Sequence, residues 1–175
     1  MKKILSVLMF ILSFSACASN SIPLSTASFV DIERYVGKWY AISSLPQFFT
    51  RKCKAQMADY AIINSQTISV LNTCIKDSKN TTISGQAVVI NTDTNAELEV
   101  TFNNFFTRIF RVKGDYIIMK LDKDYRYAMI GSKDRKSLWI LARETTMPES
   151  IYNSYVEFAE TNNFPVNKIQ KSEFR

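Results

Sequence analysis

The chain has 175 residues, of which 46% are hydrophobic and 22% charged, proportions typical of one globular domain with a buried core. Its formal net charge is +6, but two of the lysines lie in the leader described next, and the remaining basic residues are spread too thinly to indicate nucleic-acid binding. The chain contains no histidine, which removes the commonest general base and metal ligand and makes Ser-His-Asp chemistry impossible within it.

Residues 1–16 predict a secretory signal peptide. Lys2 and Lys3 give a basic start, an apolar run follows at residues 4–14, and small residues come next. This segment is too short to be a spanning helix of the folded protein. An exported chain meets an oxidising compartment, in which disulfides persist.

Two cleavage sites fit the end of this leader. Phe14-Ser15-Ala16-Cys17 resembles a bacterial lipobox, which predicts cleavage before Cys17 and diacylation of its thiol, whereas Ala16-Cys17-Ala18 fits an ordinary A-x-A site. A cysteine at the end of an apolar run favours the lipoprotein interpretation. We then expect a lipid anchor in the cell envelope, on the outer membrane facing the periplasm because no Asp directly follows Cys17. Without lipidation of Cys17 we expect a soluble periplasmic protein.

Past a polar tether at residues 17–29, the pattern is one of short strands and turns. Residues 31–35 predict one helical turn capped by Asp31 and ended by Gly37. Eight strands follow in sequence, joined mostly by short turns rich in Asn, Asp, Lys and Gly. We predict these strands at residues 39–45, 57–63, 68–74, 83–90, 97–103, 115–121, 125–131 and 137–143.

One amphipathic helix is predicted after the last strand. At residues 147–161 apolar side chains recur at helical spacing, so that one face of the helix can lie on a sheet. Pro148 suits the first turn and Thr146 is placed to cap it. A short tail strand at residues 166–170 is predicted to extend a sheet edge.

Eight consecutive antiparallel strands with one helix packed outside predict an all-β fold. An up-and-down barrel closes on itself and leaves no long edge exposed, whereas a β-sandwich needs longer crossover connections than this chain has. An eight-stranded barrel has an interior just large enough for one small ligand. The predicted domain covers residues 30–171, with the C-terminal helix at about 147–161.

Cys53 and Cys74 are the two cysteines of the predicted domain, and they flank two strands that meet at Asn64-Ser65. A two-residue hairpin there brings the two cysteines nearly opposite one another at the strand ends. In an oxidising compartment this placement favours a disulfide over two free thiols.

Three motifs occur in order along the chain. In VDIERYVGKWYAISSLPQFF, Gly-x-Trp follows a helical turn; in LDKDYRYAMIGS, Asp-Tyr precedes a strand; and in LWILARETTMPES, an Arg ends the last strand just before the helix. From about residue 30 to about residue 171 the chain therefore resembles the lipocalins, and within them the bacterial outer-membrane lipocalin and apolipoprotein D group.

The resemblance implies structural roles for Gly37, Trp39, Asp124, Tyr125 and Arg143. In lipocalins the motif Trp closes one end of the barrel and the motif Arg packs across its ring, which implies that Trp39 lies under Arg143. Gly37 then permits the tight passage from the helical turn to the first strand. None of these residues is expected to be catalytic.

Apolar and aromatic residues of the strands are the candidates for a ligand cavity. We predict as ligand-binding residues Leu98, Val100, Phe102, Phe106, Tyr116, Tyr125, Tyr127, Met129 and Trp139. Periodicity cannot choose the inward face of a strand whose faces are both apolar, so packing in the core or under the outer helix stays open for each of them.

The stretch NNFFTRIFRVKGD interleaves aromatic and basic residues between the fifth and sixth strands, a connection that lies at the open end of a lipocalin. Its members are Phe105, Phe106, Ile109, Phe110, Arg108, Arg111 and Lys113. Such a loop suits an amphiphile with an anionic head, such as a fatty acid or lysophospholipid, or contact with a membrane surface. An extended hairpin with a solvated basic face is the alternative.

We therefore predict binding, storage or transport of a small hydrophobic ligand, with a fatty acid or lysophospholipid favoured. No cofactor, metal or nucleic-acid partner is expected, and the sequence makes no prediction of oligomeric state. One alternative is a thiol-dependent lipid-modifying enzyme, which requires Cys53 or Cys74 to be unpaired. Another is a structural envelope protein whose own side chains fill the barrel.

Overall fold

The computed structural model describes residues 23–77, 79–103 and 113–174. A short helix α1 (Ile32–Tyr35) precedes the strands, and a longer helix α2 (Glu149–Thr161) follows the eighth. The strands are β1 (Gly37–Ser44), β2 (Ala55–Asn64), β3 (Thr67–Ile75), β4 (Thr81–Val89), β5 (Glu97–Phe102), β6 (Lys113–Leu121), β7 (Tyr127–Gly131), β8 (Leu138–Ala142) and β9 (Gln170–Lys171). The predictions for the leader, including Cys17, and for residues 104–112, including Phe106, lie outside the described residues.

The eight long strands form a closed antiparallel up-and-down barrel, which confirms the predicted fold class. Each strand pairs with its neighbours in the sequence, and β1 closes the barrel by pairing with both β2 and β8. The short β9 adds beside the end of β1 at Ser43 and Ser44. Closure pairs the strand edges that an open sheet would leave exposed to other chains.

The barrel has two different ends. At the end where β1 begins, α1 packs its buried Tyr35 into the barrel interior, and we call this the closed end. Strands β1, β3, β5 and β7 end at the opposite end, which we call the mouth. Near the closed end the interior is filled by a core that includes Trp39, Leu98 and Ile118.

Helix α2 packs on the outside of the barrel, over β7 and β8. Its buried Tyr155 and Ala159 form a second core with Met129, Ile140 and Phe164. Alternate residues of β7 and β8 therefore enter the two cores, and both faces of these strands are apolar because both are buried. Within the part of the chain that the structure describes, neither helix is long and apolar enough to cross a bilayer.

Several predicted boundaries shift for local reasons. β7 begins at Tyr127 because Tyr125, with φ of 58°, belongs to the preceding turn. Pro148 occupies the N-cap of α2 and makes no side-chain cap, so the predicted cap by Thr146 is wrong. The predicted tail strand divides into a 3-10 turn at Val166–Lys168 and β9.

The predicted disulfide between Cys53 and Cys74 is confirmed. It joins the β1–β2 connection to the end of β3 at the mouth, with the two Cα atoms 5.2 Å apart and a sequence separation of 21 residues.

Removing this disulfide should destabilise the barrel. The double variant Cys53→Ser/Cys74→Ser frees a closed loop in the unfolded chain, so we expect the free energy of unfolding to fall by about 2–4 kcal/mol. Urea unfolding followed by tryptophan fluorescence measures the change. Reduction of the wild-type protein with dithiothreitol is the control and should reproduce the loss. An unchanged midpoint in both experiments would contradict a stabilising role.

Candidate functional site

A cavity of about 730 Å³ opens at the mouth of the barrel. This volume lies within the range of about 300–1,000 Å³ found for small-molecule sites. Residues of the mouth connections, such as Phe49 and Ser132, form its rim. Its deeper walls are mainly apolar and aromatic side chains that point into the barrel: Ala58, Tyr60, Val70, Val100, Phe102, Tyr116, Ile130, Trp139 and Leu141.

Four of the residues predicted to bind a ligand line this cavity: Val100, Phe102, Tyr116 and Trp139. Leu98 also points into the barrel, but it is 1% exposed and lies in the packed core, not on the cavity surface. The candidate residues of β5 and β8 thus stand on the inward faces of their strands.

The structure corrects the prediction for Tyr127 and Met129. Both pack in the outer core beneath α2, while Ala128 and Ile130 take the inward positions of β7. Tyr125, Tyr127 and Met129 share one face only if all three belong to the same strand. Tyr125 lies in the turn before β7, so the alternation of β7 does not include it.

Tyr125 instead belongs to the closed end. Its hydroxyl accepts a hydrogen bond from the backbone N–H of Asp31 at 2.9 Å. The guanidinium carbon of Arg34 lies 4.1 Å from the centre of the Tyr125 ring. Tyr125 therefore joins the β6–β7 turn to the start of α1.

Trp39 and Arg143 form the centre of the closed end. The Trp39 side chain is fully buried, and the guanidinium carbon of Arg143 lies 3.8 Å from the centre of its ring. The indole N–H donates to the Tyr35 carbonyl at 2.8 Å. This is the packing that the lipocalin resemblance implies, and such a cation–π contact contributes about 0.5–2 kcal/mol.

Arg143 also donates to four backbone carbonyl oxygens. Its Nε binds Tyr125 at 3.1 Å, and its Nη1 binds Lys38 at 2.8 Å. Its Nη2 binds both Arg34, at 2.8 Å, and Tyr35, at 3.0 Å. Burial lowers the pKa of the Arg143 guanidinium, which nevertheless stays charged at neutral pH because the ordinary pKa of arginine is so high. One side chain thus ties together α1, β1 and the β6–β7 turn.

Gly37 provides the backbone geometry that this contact requires. Its φ of +94° is one that side-chain-bearing residues rarely adopt. A Cβ atom at this position would also lie only 3.4 Å from Nη1 of Arg143. The role implied for Gly37 by the resemblance therefore has a direct geometric basis.

The turn of the second motif is organised by Asp122. Its carboxylate accepts hydrogen bonds from the backbone N–H groups of Arg126 and Tyr127, both at 2.6 Å, and of Asp124 at 3.2 Å. Asp124, the residue singled out by the resemblance, is exposed. An Asp side chain commonly accepts hydrogen bonds from backbone N–H groups of its own turn, and in LDKDY the first Asp, Asp122, has this role.

Three tyrosines meet where the closed end borders the cavity. The hydroxyl oxygens of Tyr35 and Tyr116 are 2.6 Å apart, and Tyr116 donates to the Tyr60 hydroxyl at 3.0 Å. Burial raises the pKa of Tyr60 to about 12 and raises the pKa values of Tyr35 and Tyr116 well above the ordinary value for tyrosine. All three are therefore neutral phenols at physiological pH.

Only Tyr116 of these three was predicted at the cavity. Tyr60 follows the inward parity of Ala58 on β2, but the opposite face of this strand also carries apolar residues, Met57, Ala61 and Ile63, so the alternation is not clear in the sequence. Tyr35 lies in the helical turn, whose packing across the barrel depends on tertiary structure.

The structure also bears on metal binding and on the thiols of the enzyme alternative. Residues 23–77, 79–103 and 113–174 contain no group of three or more His, Cys, Asp or Glu side chains placed to hold a metal ion. Both thiols that the enzyme alternative would need, those of Cys53 and Cys74, are joined in the disulfide. The arrangement is that of a binding cavity with neutral polar groups at its inner end.

Comparison with known proteins agrees with this architecture. A family model described as a lipocalin-like domain matches residues 30–173. Temperature-induced lipocalin-1 of Arabidopsis thaliana is 36% identical over 146 residues, which cover 82% of this chain and 78% of the relative. The outer membrane lipoprotein Blc of Vibrio cholerae is 27% identical over 158 residues, with 89% of each chain covered.

Among solved structures, insecticyanin from the tobacco hornworm Manduca sexta superimposes with a TM-score of 0.67. The match covers 87% of this chain and 85% of insecticyanin, at 16% sequence identity. At that identity the similarity concerns the fold alone.

Removing Arg143 should weaken the closed end. Arg143→Ala loses the Trp39 contact and leaves backbone carbonyls without a donor, so we expect a fall of about 2–4 kcal/mol in the free energy of unfolding. Arg143→Lys keeps the charge but lacks the planar fork, and should recover only part of that loss. Urea and thermal unfolding measure both. The matched control is Arg126→Ala at the same end, where we expect a change under about 1 kcal/mol. Equal losses at positions 143 and 126 would contradict the assigned role.

Proposed function

The chain belongs to the lipocalin family, whose members bind small hydrophobic molecules, and we propose that it binds and stores or carries a fatty acid or a lysophospholipid in the bacterial envelope. The observation that carries this proposal is an apolar cavity beneath a strongly basic mouth. The walls suit an acyl chain, and the mouth suits an anionic head group.

The charge of the chain is divided unequally between the two ends of the barrel. The described parts of the connections at the mouth, residues 45–54, 76–77, 79–80 and 132–137, contain eight Lys or Arg and two Asp. The segments at the closed end, residues 31–36, 65–66, 90–96, 122–126 and 143–148, contain four Lys or Arg and six Asp or Glu. A one-sided field of this kind attracts anions to the cavity entrance.

The mouth also presents apolar side chains to solvent. Phe48 is 79% exposed and Phe49 is 70% exposed, next to Arg51 and Lys52 in the β1–β2 connection. The guanidinium carbon of Arg51 lies 4.6 Å from the centre of the Phe48 ring. Exposed aromatic residues among basic ones are typical of segments that contact anionic lipid surfaces, which supports a ligand taken from a membrane.

The path of the tether is consistent with a lipid anchor near the mouth. The backbone N–H of Ser25 donates to Asn162 Oδ1 at 3.2 Å, and the Asn162 carbonyl accepts from Nε of Arg135, a residue of the β7–β8 connection at the mouth. Cys17 precedes Ser25 by eight residues, which span at most about 28 Å when extended. An acylated Cys17 would therefore hold the cavity entrance close to a bilayer, and the relatives named outer membrane lipoprotein support such an anchor.

The two alternatives have less support. A thiol-dependent enzyme needs a free cysteine, whereas Cys53 and Cys74 are bonded to one another. A barrel filled by its own side chains would not enclose about 730 Å³ of open space.

Ligand binding can be measured by titrating the delipidated protein with a fluorescent fatty acid and with a lysophospholipid. We expect dissociation constants in the micromolar range or below. The charge reversal Arg51→Glu/Lys52→Glu should weaken binding of the fatty acid about fivefold, because two attractive charges at the entrance become repulsive.

The matched control is Lys123→Glu/Arg126→Glu, the same reversal at the closed end, which should leave the affinity unchanged. The corresponding fatty alcohol, which has no charge, should bind the wild type and both double variants alike. Failure of the wild-type protein to bind any acyl compound at micromolar concentration would contradict the proposed ligand class.

The anchor requires a separate test in a bacterial host. Radiolabelled palmitate should label the full-length protein, and Cys17→Ala should abolish the label and release the protein into the soluble periplasmic fraction. Cys17→Ala that stays membrane-bound, or a wild-type chain without label, would contradict lipidation.

A further inference from the structure

We propose that the inner end of the cavity is a polar subsite, in which the Tyr60 hydroxyl donates a hydrogen bond to a neutral oxygen of the ligand. The inference rests on the proposed function and refines it. The ligand class becomes an elongated apolar molecule that carries a hydroxyl or carbonyl oxygen at the end that enters the barrel first, in addition to any head group held at the mouth.

The position of the tyrosines defines this subsite as the deepest part of the cavity. Tyr60 pairs with Gly37 at the start of β1, and Tyr116 pairs with Leu98, which lies in the packed core of the closed end. Tyr60 and Tyr116 nevertheless line the cavity. Their hydroxyl groups therefore stand where the open space ends and the core begins.

A count of hydroxyl hydrogens shows that one donor is left over. Tyr116 gives its single hydrogen to Tyr60, so Tyr35 must be the donor in its 2.6 Å bond with Tyr116. The Tyr60 hydrogen then has no acceptor among residues 23–77, 79–103 and 113–174. Three hydroxyl groups make two bonds, and the hydrogen that remains belongs to a residue of the cavity wall.

The donor is held in place before any ligand arrives. The Tyr60 ring stacks on Tyr35 with centroids 6.0 Å apart and an interplanar angle of 10°. It meets the Tyr116 ring edge-on, with centroids 6.0 Å apart and an angle of 89°. Tyr35 in turn packs on Trp39 at 5.3 Å, so the packing of the closed end fixes the direction of the hydroxyl groups.

The chemistry of the subsite favours a neutral oxygen over a carboxylate. An ionised carboxylate needs several donors when it is removed from water, and this subsite offers one. The nearest cation, Arg143, lies against Trp39 and directs its N–H groups to four backbone carbonyls. A plain hydrocarbon end is also poorly matched, because it would exclude water from the Tyr60 hydroxyl without offering an acceptor for its hydrogen bond.

The test compares hexadecanoic acid with its ω-hydroxy derivative, at several chain lengths, by isothermal titration calorimetry on the delipidated protein. In the wild type we expect the ω-hydroxy acid to bind at least as tightly as the plain acid of equal length. A hydroxyl group buried without a partner in an apolar cavity would instead weaken binding by about tenfold or more. If the wild type bound the plain acid about tenfold more tightly than the ω-hydroxy acid at every chain length, the subsite would be overturned.

The second arm uses the double variant Tyr60→Phe/Tyr116→Phe, which keeps both rings and removes both hydroxyl groups of the cavity wall. Tyr60→Phe alone would free the Tyr116 hydrogen and so leave a donor at the subsite. The affinity for the ω-hydroxy acid divided by the affinity for the plain acid should be about fivefold lower in the double variant than in the wild type. Tyr152→Phe on α2 is the matched control and should leave the ratio of affinities unchanged. An unchanged ratio in Tyr60→Phe/Tyr116→Phe would overturn the subsite while binding of the plain acid still supports the proposed function. If the wild type binds neither acid, both proposals fail together.

Discussion

The contact between Arg143 and Trp39 is the interaction on which the rest of this barrel depends. It seals one end, because the guanidinium covers the indole ring and also binds carbonyls of α1, β1 and the β6–β7 turn. The Tyr35 carbonyl accepts hydrogen bonds from both Trp39 and Arg143. The Tyr35 hydroxyl is hydrogen-bonded to Tyr116, which in turn donates to Tyr60. The closed end and the inner end of the cavity therefore share residues, so a substitution at one is expected to alter the packing of the other.

The molecule differs strongly between its two ends, and this difference underlies the proposed function. The closed end combines a slight acidic excess with a packed aromatic core, whereas the mouth combines a large basic excess with exposed phenylalanines. The disulfide ties together two segments of the mouth, the β1–β2 connection and the end of β3. An entrance with a large excess of basic residues suits the exchange of amphiphiles with an anionic membrane that we propose.

Much of the fold follows from local sequence patterns. Short strands separated by turn residues predict the eight-stranded barrel, and the spacing of Cys53 and Cys74 about one hairpin predicts their disulfide. On β5, where apolar residues alternate with Glu97, Glu99 and Thr101, the candidates Val100 and Phe102 face the cavity. β7 is different: Ala128 and Ile130 pack inside while Tyr127 and Met129 pack under α2. Period-two patterns carry no information about direction when both faces of a strand are buried.

The sequence by itself therefore determined the scaffold: the number and order of strands, the outer helix, the disulfide, and the Gly37, Trp39 and Arg143 signature of the family. These features depend on neighbours along the chain or on motifs, and such signals can be recognised in the sequence alone. Only the tertiary structure decided which side chains share the cavity, that Asp122 and not Asp124 organises its turn, and that Tyr35, Tyr60 and Tyr116 join their hydroxyl groups. The three tyrosines come from a helical turn and two strands that are distant in sequence, and a hydrogen-bond chain between them exists only once the barrel has closed.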